Sequence, residues 1–92
     1  MPSSHKIPVF SNSNPKIVAT GLSRFCKDHK PPGTPVEDYL ITLKIWKSSV
    51  GDLSASVHLP DSTKNPGVIY REVTLDKIED SDNLSTILEE YQ

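Results

Sequence analysis

Two segments of the chain alternate between apolar and polar residues with a period of two, and this constrains the fold more than any other feature. The first covers residues 37–47, where the odd-numbered apolar set is Tyr39, Ile41, Leu43 and Ile45. The second covers residues 53–60, where the apolar set is Leu53, Ala55, Val57 and Leu59. Because successive side chains of a β-strand point to opposite faces of a sheet, each segment is predicted to be a strand with one buried face.

A third segment, at residues 67–75, is rich in β-branched and aromatic residues and is also predicted to be a strand. It follows the second strand after a long polar connection that contains two prolines. Because strands that are consecutive in sequence usually neighbour one another in space, we predict a three-stranded antiparallel meander.

Helices are predicted at both ends of this sheet. Over residues 81–91 the apolar residues recur three and four positions apart, as in an amphipathic helix. Residues 15–29 are predicted to form a second helix, because Asn14 and Pro15 are a typical N-cap and first helical residue. A β-branched cluster within residues 16–26 favours a strand instead. The alternative to the meander with two helices is therefore a four-stranded antiparallel sheet with one C-terminal helix.

The length of the chain limits it to one hydrophobic core. Its 92 residues are enough for one domain and too few for two. Residues 1–14 lack periodicity and are predicted to be a flexible arm, which leaves residues 15–92 as a single α+β domain. The hydrophobic fraction of 35% is below the usual share, which indicates that self-association supplies some of the buried area.

The charges are divided unequally between the two halves of the chain. Residues 1–47 carry seven Lys and Arg against three Asp and Glu, whereas residues 48–92 carry three against nine. A polarised surface attracts oppositely charged partners, including a second copy of the same chain. The sequence contains no apolar segment of the length that a signal peptide or a membrane span needs, so we expect a soluble intracellular protein without membrane association.

No group of residues has the spacing of a catalytic, metal or cofactor site. Cys26 and His29 have a spacing that zinc sites use, but a structural zinc site needs four ligands, and His5 and His58 are isolated in the sequence. The neighbouring Lys27 favours the thiolate form of Cys26, yet no enzyme signature surrounds this cysteine. We therefore expect no enzymatic activity, no metal and no cofactor.

The even-numbered face of the first strand carries candidate interface residues. Trp46, the only tryptophan, falls on this face, opposite the apolar odd-numbered set. Exposed aromatic residues are frequent hot spots of protein interfaces. The residues predicted to lie at a protein interface are Leu40, Trp46, Tyr70 and Tyr91. If the helix at residues 15–29 covers this face instead, Trp46 belongs to the core.

The favoured functional hypothesis is a non-enzymatic module for protein–protein interaction or oligomerisation, which we expect to be a homodimer or a subunit of a larger assembly. If the strand at residues 53–59 lies at a sheet edge, a partner chain can add a further strand to it. The first alternative is a small nucleic-acid-binding regulator, which the sequence pI of 5.8 disfavours. Its predicted phosphate contacts are Arg24, Lys27, Lys30, Lys44 and Lys47. The second alternative is an acidic inhibitor whose C-terminal half blocks a basic site on a partner.

Overall fold

The computed structural model describes residues 7–91, which form an α+β fold of four strands and three helices. In chain order, the elements are β1 (Phe10–Asn12), α1 (Pro15–Asp28), a 3-10 turn (Val36–Asp38), β2 (Leu40–Lys47), β3 (Leu53–His58), β4 (Ile69–Thr74), α2 (Leu75–Ile78) and α3 (Ser81–Glu89). None of the helices within the described residues is long and apolar enough to cross a membrane.

The strands form one antiparallel sheet in the order β1-β3-β2-β4. This confirms the alternative of a four-stranded antiparallel sheet, although the additional strand comes from Phe10–Asn12 and not from residues 16–26. The predicted meander order is wrong, because β4 pairs with β2 and not with β3. The polar connection at residues 59–68 is long enough to pass beyond β2, since crossing two strand spacings requires only about 10 Å.

The helix predicted at residues 15–29 is present as α1, Pro15–Asp28. The Asn14 side chain caps it by accepting a hydrogen bond of 3.0 Å from the Lys16 amide. The β-branched cluster did not produce a strand, because an amphipathic face that is buried against the sheet outweighs the weak strand preference of these residues. The predicted C-terminal helix is α3, Ser81–Glu89, and Asp80 caps it by accepting from the Asp82 amide at 2.9 Å.

The hydrophobic core lies between the three helices and one face of the sheet. The sheet contributes Ile41, Leu43, Ile45, Leu53, Ala55 and Val73. The helices contribute Val18, Leu22, Ile78, Leu84 and Leu88, each at most 1% exposed. Ser23 joins two of the helices, because its hydroxyl donates to the Ile78 carbonyl at 2.8 Å and lies 3.1 Å from the Glu79 carbonyl. The two helical segments are therefore connected by a buried polar contact as well as by apolar packing.

Strand β1 is anchored to α1 through a close contact between an aromatic ring and a glycine. Phe10 lies opposite Ala55 on β3, and its ring also packs against Phe25, with a centroid separation of 6.4 Å. A Cβ atom at Gly21 would lie 2.6 Å from Phe10 Cδ1, so α1 approaches this ring closely only because residue 21 has no side chain. The structure thus departs from the flexible arm predicted for residues 1–14, of which residues 1–6 lie outside the described residues.

Candidate functional site

Within residues 7–91, no helix packs against one face of the sheet, and we call this face the open face. The core residues of β2 are the odd-numbered ones, so Lys44 and Trp46 point to the opposite side. Lys44 lies opposite Ser56 on β3 and Tyr70 on β4, and Trp46 lies opposite Ser54. Residues directly opposite one another in an antiparallel pair share a face. Trp46 is therefore a partly exposed residue of the open face, and α1 does not cover it.

Aromatic rings and lysine ammonium groups are brought together on the open face. His58 and Tyr70 make an edge-to-face contact across β2, with ring centroids 4.8 Å apart. The Lys44 ammonium lies 5.2 Å from the Trp46 ring centroid, and the Lys64 ammonium lies 5.3 Å from that of Tyr70. Such cation–π contacts contribute about 0.5–1 kcal/mol each at exposed sites.

The connection between β3 and β4 is held against the same face. The backbone amide of Asn65 donates a hydrogen bond of 2.8 Å to the Tyr70 hydroxyl. Between this connection, residues 7–9 and the strands lies a groove of about 380 Å³, which we call the open-face groove. The side chains that matter for its chemistry are Lys44, Trp46, Ser56, His58, Thr63 and Asn65. The groove combines an indole, an ammonium group, an imidazole and several small hydrogen-bonding groups.

A second cavity lies at the end of the sheet where β4 begins, and we call it the edge cleft. β4 starts at Ile69, opposite Ile45, so that Trp46 and Lys47 extend beyond its first residue. The space left there has a volume of about 380 Å³ and is lined by residues that include Trp46, Val68, Ile69 and Tyr91. Ile69 is 44% exposed, so it presents apolar surface at this cleft.

Tyr91 is held at the edge cleft by a side chain from β4. One Arg71 guanidinium nitrogen donates to the Tyr91 hydroxyl at 3.1 Å and to a Glu90 carboxylate oxygen at 3.2 Å. The hydrogen bond that Arg71 donates to Tyr91, followed by its charge interaction with Tyr91, raises the pKa of Arg71, and Glu90 adds to this effect. The end of the α3 segment is thereby fixed beside β4, and the tyrosine ring forms a wall of the cleft.

The four predicted interface residues do not form one cluster. Leu40, Trp46 and Tyr70 are on the open face, whereas Tyr91 approaches from the helix side of the sheet. Trp46 and Tyr91 meet at the edge cleft. Leu40 lies at the other end of β2, where it is 56% exposed and borders a smaller cavity of about 150 Å³. The structure therefore brings together Trp46 and Tyr91 but not the complete set.

The structure also separates the five basic residues predicted to contact phosphate. Arg24 and Lys27 are exposed on α1, which lies on the other side of the sheet from Lys44. Lys30 fastens the loop after α1, since its ammonium group donates to the Thr34 carbonyl at 2.6 Å and to the Pro31 carbonyl at 3.2 Å. The remaining residue, Lys47, lines the edge cleft.

Two residues of the open face were missed as site candidates. Lys64 lies in a polar connection without periodicity, so no sequence signal places it beside Tyr70. His58 has no other metal-ligating residue near it in the sequence, but its even-numbered position in the second strand places it on the same face as Ser54 and Ser56. Its contact with Tyr70 additionally requires β4 to lie beside β2, which the predicted meander did not contain.

Cys26 and His29 do not act together. Cys26 is 2% exposed, and burial raises the pKa of its thiol to about 11, which opposes the thiolate form that the neighbouring lysine was expected to favour. The His29 ring stacks on Phe25 at a centroid distance of 4.1 Å, and its Nδ1 lies 2.9 Å from the Phe25 carbonyl oxygen. Within residues 7–91, no group of three or more His, Cys, Asp or Glu side chains is arranged to hold a metal ion.

In the structure, basic residues of the first half of the chain lie on α1, and acidic residues of the second half lie on and between α2 and α3. α1 carries Lys16, Arg24 and Lys27 against Asp28, and it packs beside α3. The acidic residues of α2, α3 and the short segment between them are Asp76, Glu79, Asp80, Asp82 and Glu89. Basic and acidic surfaces thus lie next to each other on the side of the molecule away from the open face.

The chain matches no protein-family model, and comparison with curated proteins and with solved structures finds no match either.

Proposed function

We propose that the protein is a non-enzymatic interaction module that binds an extended segment of a partner protein along the outer edge of β4. The observation that carries this proposal is the position of β4, a six-residue strand at the end of the sheet order that directly adjoins the edge cleft. Backbone pairing along the edge supplies affinity, and the adjacent cleft selects a side chain.

The backbone of β4 is suited to this role because one side of it is unpaired. Among the described strands, β4 pairs with β2 only, so alternate amide and carbonyl groups point away from the sheet. β3 was predicted as the strand to be extended, but it lies inside the sheet between β1 and β2, so this prediction is wrong. The other edge strand, β1, has only three residues. β4 therefore offers the longer free edge.

The edge cleft supplies the second element, a place for an apolar anchor. Trp46 and Tyr91 form aromatic walls, and the exposed side of Ile69 borders the opening. Anchor residues of protein interfaces are typically apolar or aromatic side chains that fill such partly preformed cavities. A cavity of about 380 Å³ is large enough to accept one leucine or phenylalanine side chain.

A partner different from the chain itself is favoured by the charges on β4. Two copies of β4 related by a two-fold axis pair in an antiparallel manner, and residues facing each other must point to the same side of the sheet. The two registers with the greatest overlap place either Arg71 opposite Arg71 or Glu72 opposite Glu72. Like charges directly opposite each other are destabilising, so self-pairing at this edge is penalised.

The experiment selects binding peptides from a random displayed library on the full chain and then titrates synthetic versions. Trp46 is the only tryptophan and lines the cleft, so its fluorescence reports occupancy when the peptide lacks tryptophan. Ile69→Lys places a charge at the mouth of the cleft and is expected to weaken binding about tenfold or more. Val50→Lys is the matched control, since Val50 is 80% exposed in the turn after β2. It is expected to leave the affinity unchanged, and circular dichroism checks that both variants fold.

Backbone pairing is tested separately by N-methylation of the selected peptide. Only alternate peptide amides donate to an edge strand, so one alternating set of methyl groups should abolish binding and the other set should be tolerated. If both sets are tolerated, or if Ile69→Lys binds as well as Val50→Lys, the proposal fails. Sedimentation at increasing protein concentration tests whether a second copy of the chain occupies the β4 edge instead of a separate partner. A dimer that Ile69→Lys disrupts would show that the second copy is the partner.

A further inference from the structure

The open-face groove is a second surface, and it shares only Trp46 with the edge cleft. We propose that this groove binds a short segment of single-stranded nucleic acid, with a base stacked on Trp46 and with Lys44 and Lys64 paired with phosphates. The inference is independent of the protein partner proposed for β4, because it depends on the side chains of the open face and not on the backbone of the sheet edge.

The local charge of the open face favours an anion although the whole chain has a net charge of -2. Among the described residues that line the groove, Lys44 is the one with a formal charge and none is a carboxylate. Lys64, from the connection beside the groove, adds a second ammonium group near Tyr70. Glu72 is the acidic residue that β4 places on this face, and it lies opposite Thr42, away from Trp46. The described lining of the groove therefore carries a positive charge from Lys44, while Asp61 of the same connection lies outside that lining.

The acidic residues that lower the net charge lie mainly on the other side of the molecule. Seven of the twelve lie in the helices or directly beside them, namely Asp28, Asp76, Glu79, Asp80, Asp82, Glu89 and Glu90. These helices pack against the face of the sheet that lacks Lys44. Exposed charges separated by more than about 8 Å interact weakly at physiological salt. An overall acidic composition is therefore compatible with an open face that attracts phosphate.

The partly exposed aromatic side chain of the groove favours a nucleic acid with unpaired bases. Stacking of a base on an aromatic side chain needs a free base face, which a duplex does not present along its length. Trp46 is partly exposed and lines the groove, and the residue opposite it on β3 is the small Ser54. The lysine over the indole ring is on a flexible side chain, so a phosphate can draw it aside while a base occupies the ring.

Small polar groups line the same groove as the indole. His58 lies on β3, and Thr63 and Asn65 come from the connection that Tyr70 holds in place. These side chains can donate and accept hydrogen bonds at base edges or at sugar hydroxyls. A strip with one stacking residue and two separated lysines fits a single strand of a few nucleotides.

The experiment titrates the full-length protein with fluorescently labelled oligothymidylate and oligouridylate, at about 50 and about 200 mM salt. Anisotropy measures binding, and quenching of Trp46 reports stacking. Lys44→Gln is expected to weaken binding several-fold at low salt and to reduce the slope of log affinity against log salt by about 0.7, the value for one phosphate contact on a single strand. Lys27→Gln is the matched control, because Lys27 is exposed on α1, behind the sheet.

Replacement of the indole tests stacking. Trp46→Ala is expected to weaken oligonucleotide binding by about tenfold, whereas Trp46→Phe retains part of the affinity. Lys44 is a surface side chain, so Lys44→Gln remains informative even if Trp46→Ala is unstable. Comparison of the two oligonucleotides distinguishes DNA from RNA as the ligand.

Three results would overturn the inference. One is the absence of binding to either oligonucleotide at low salt, and another is equal affinity for a duplex of the same length. The third is an equal loss of binding in Lys27→Gln and Lys44→Gln, which would move the contacts away from the open face. Failure here is separable from failure of the proposed function, because Ile69→Lys should leave oligonucleotide binding intact and Lys44→Gln should leave peptide binding intact.

Discussion

The contact between Gly21 and Phe10 predicts a mutation whose effect on stability changes sign with its background. In an ordinary helix interior, Gly→Ala is stabilising by about 1 kcal/mol, because alanine restricts the unfolded chain and has the higher helix propensity. Here an added Cβ would lie 2.6 Å from Cδ1 and 2.8 Å from Cε1 of the Phe10 ring. The ring must therefore move by about 1 Å before it reaches an ordinary carbon–carbon contact of about 3.5 Å.

The magnitude follows from these opposing effects. Overpacking of this kind costs about 1–3 kcal/mol, which cancels or exceeds the helix gain of about 1 kcal/mol. Gly21→Ala alone is thus expected to lower the free energy of unfolding by between about 0 and 2 kcal/mol. In a Phe10→Ala background the clash is gone, so the same change should raise the free energy of unfolding by about 1 kcal/mol.

The assay is urea denaturation of the four proteins of a double-mutant cycle, followed by Trp46 fluorescence and far-UV circular dichroism. The cycle should give a coupling free energy of about 1–3 kcal/mol between the two positions. If Gly21→Ala stabilises both backgrounds equally, the Phe10 ring does not pack on Gly21. Strand β1 would then not be docked against α1 as the structure describes.

Three further changes follow from the structure. Ser23→Ala removes a buried hydroxyl that donates to the Ile78 carbonyl, and it should lower the free energy of unfolding by about 1–3 kcal/mol in urea titrations, whereas alanine at the exposed Ser49 should have no measurable effect. Burial raises the pKa of the Cys26 thiol from 9.0 to about 11, so its contribution to stability is complete below pH 9 and is lost as the pH rises to 11. Comparison of the wild type with Cys26→Ala over this pH range should show a difference approaching about 3 kcal/mol, and parallel curves would contradict the buried thiol. Trp46→Ala should keep the far-UV spectrum. It should lower the free energy of unfolding by less than the loss typical of a core tryptophan, which is about 3–5 kcal/mol. An unfolded variant would place the indole in the core.

The elements that sequence reasoning predicted correctly are those with a strong local signal. The period-two alternation of β2 and β3 identifies both the strands and the face that is buried, since side-chain direction alternates along any strand. Asn14 and Pro15 marked the start of α1 correctly, because the capping geometry is local. The sequence pattern predicts that Ile17, Gly21, Leu22, Phe25 and Cys26 share the buried face of α1, whereas the structure also buries Val18 and Ala19 and leaves Ile17 56% exposed. This shift depends on how the helix packs on the sheet, which no local pattern determines.

The features that were missed depend on contacts between distant segments. Three residues with one aromatic ring do not have the period of a strand, and β1 forms because β3 offers a free edge and Gly21 offers space for Phe10. Likewise, the five basic residues between positions 24 and 47 were predicted together as phosphate contacts because they lie in the same half of the sequence. The sheet divides them, because Arg24 and Lys27 lie on the helix side and Lys44 points to the open face. Sequence proximity therefore grouped residues that the fold places on opposite sides of the sheet.

The order of the strands connects the two proposed binding surfaces. In a meander, β4 would lie beside β3, and β2 would be an edge strand with Trp46 at the border of the sheet. In the observed order, β4 passes to the far side of β2, so Trp46 lies on a central strand. The connection that makes this crossing carries Lys64 and Asn65 onto the open face, where Tyr70 holds it. The same crossing leaves β4 with a free outer edge and places the edge cleft, which Trp46 lines, at the first residue of β4. A shortened connection that forced β4 beside β3 would therefore remove both surfaces together.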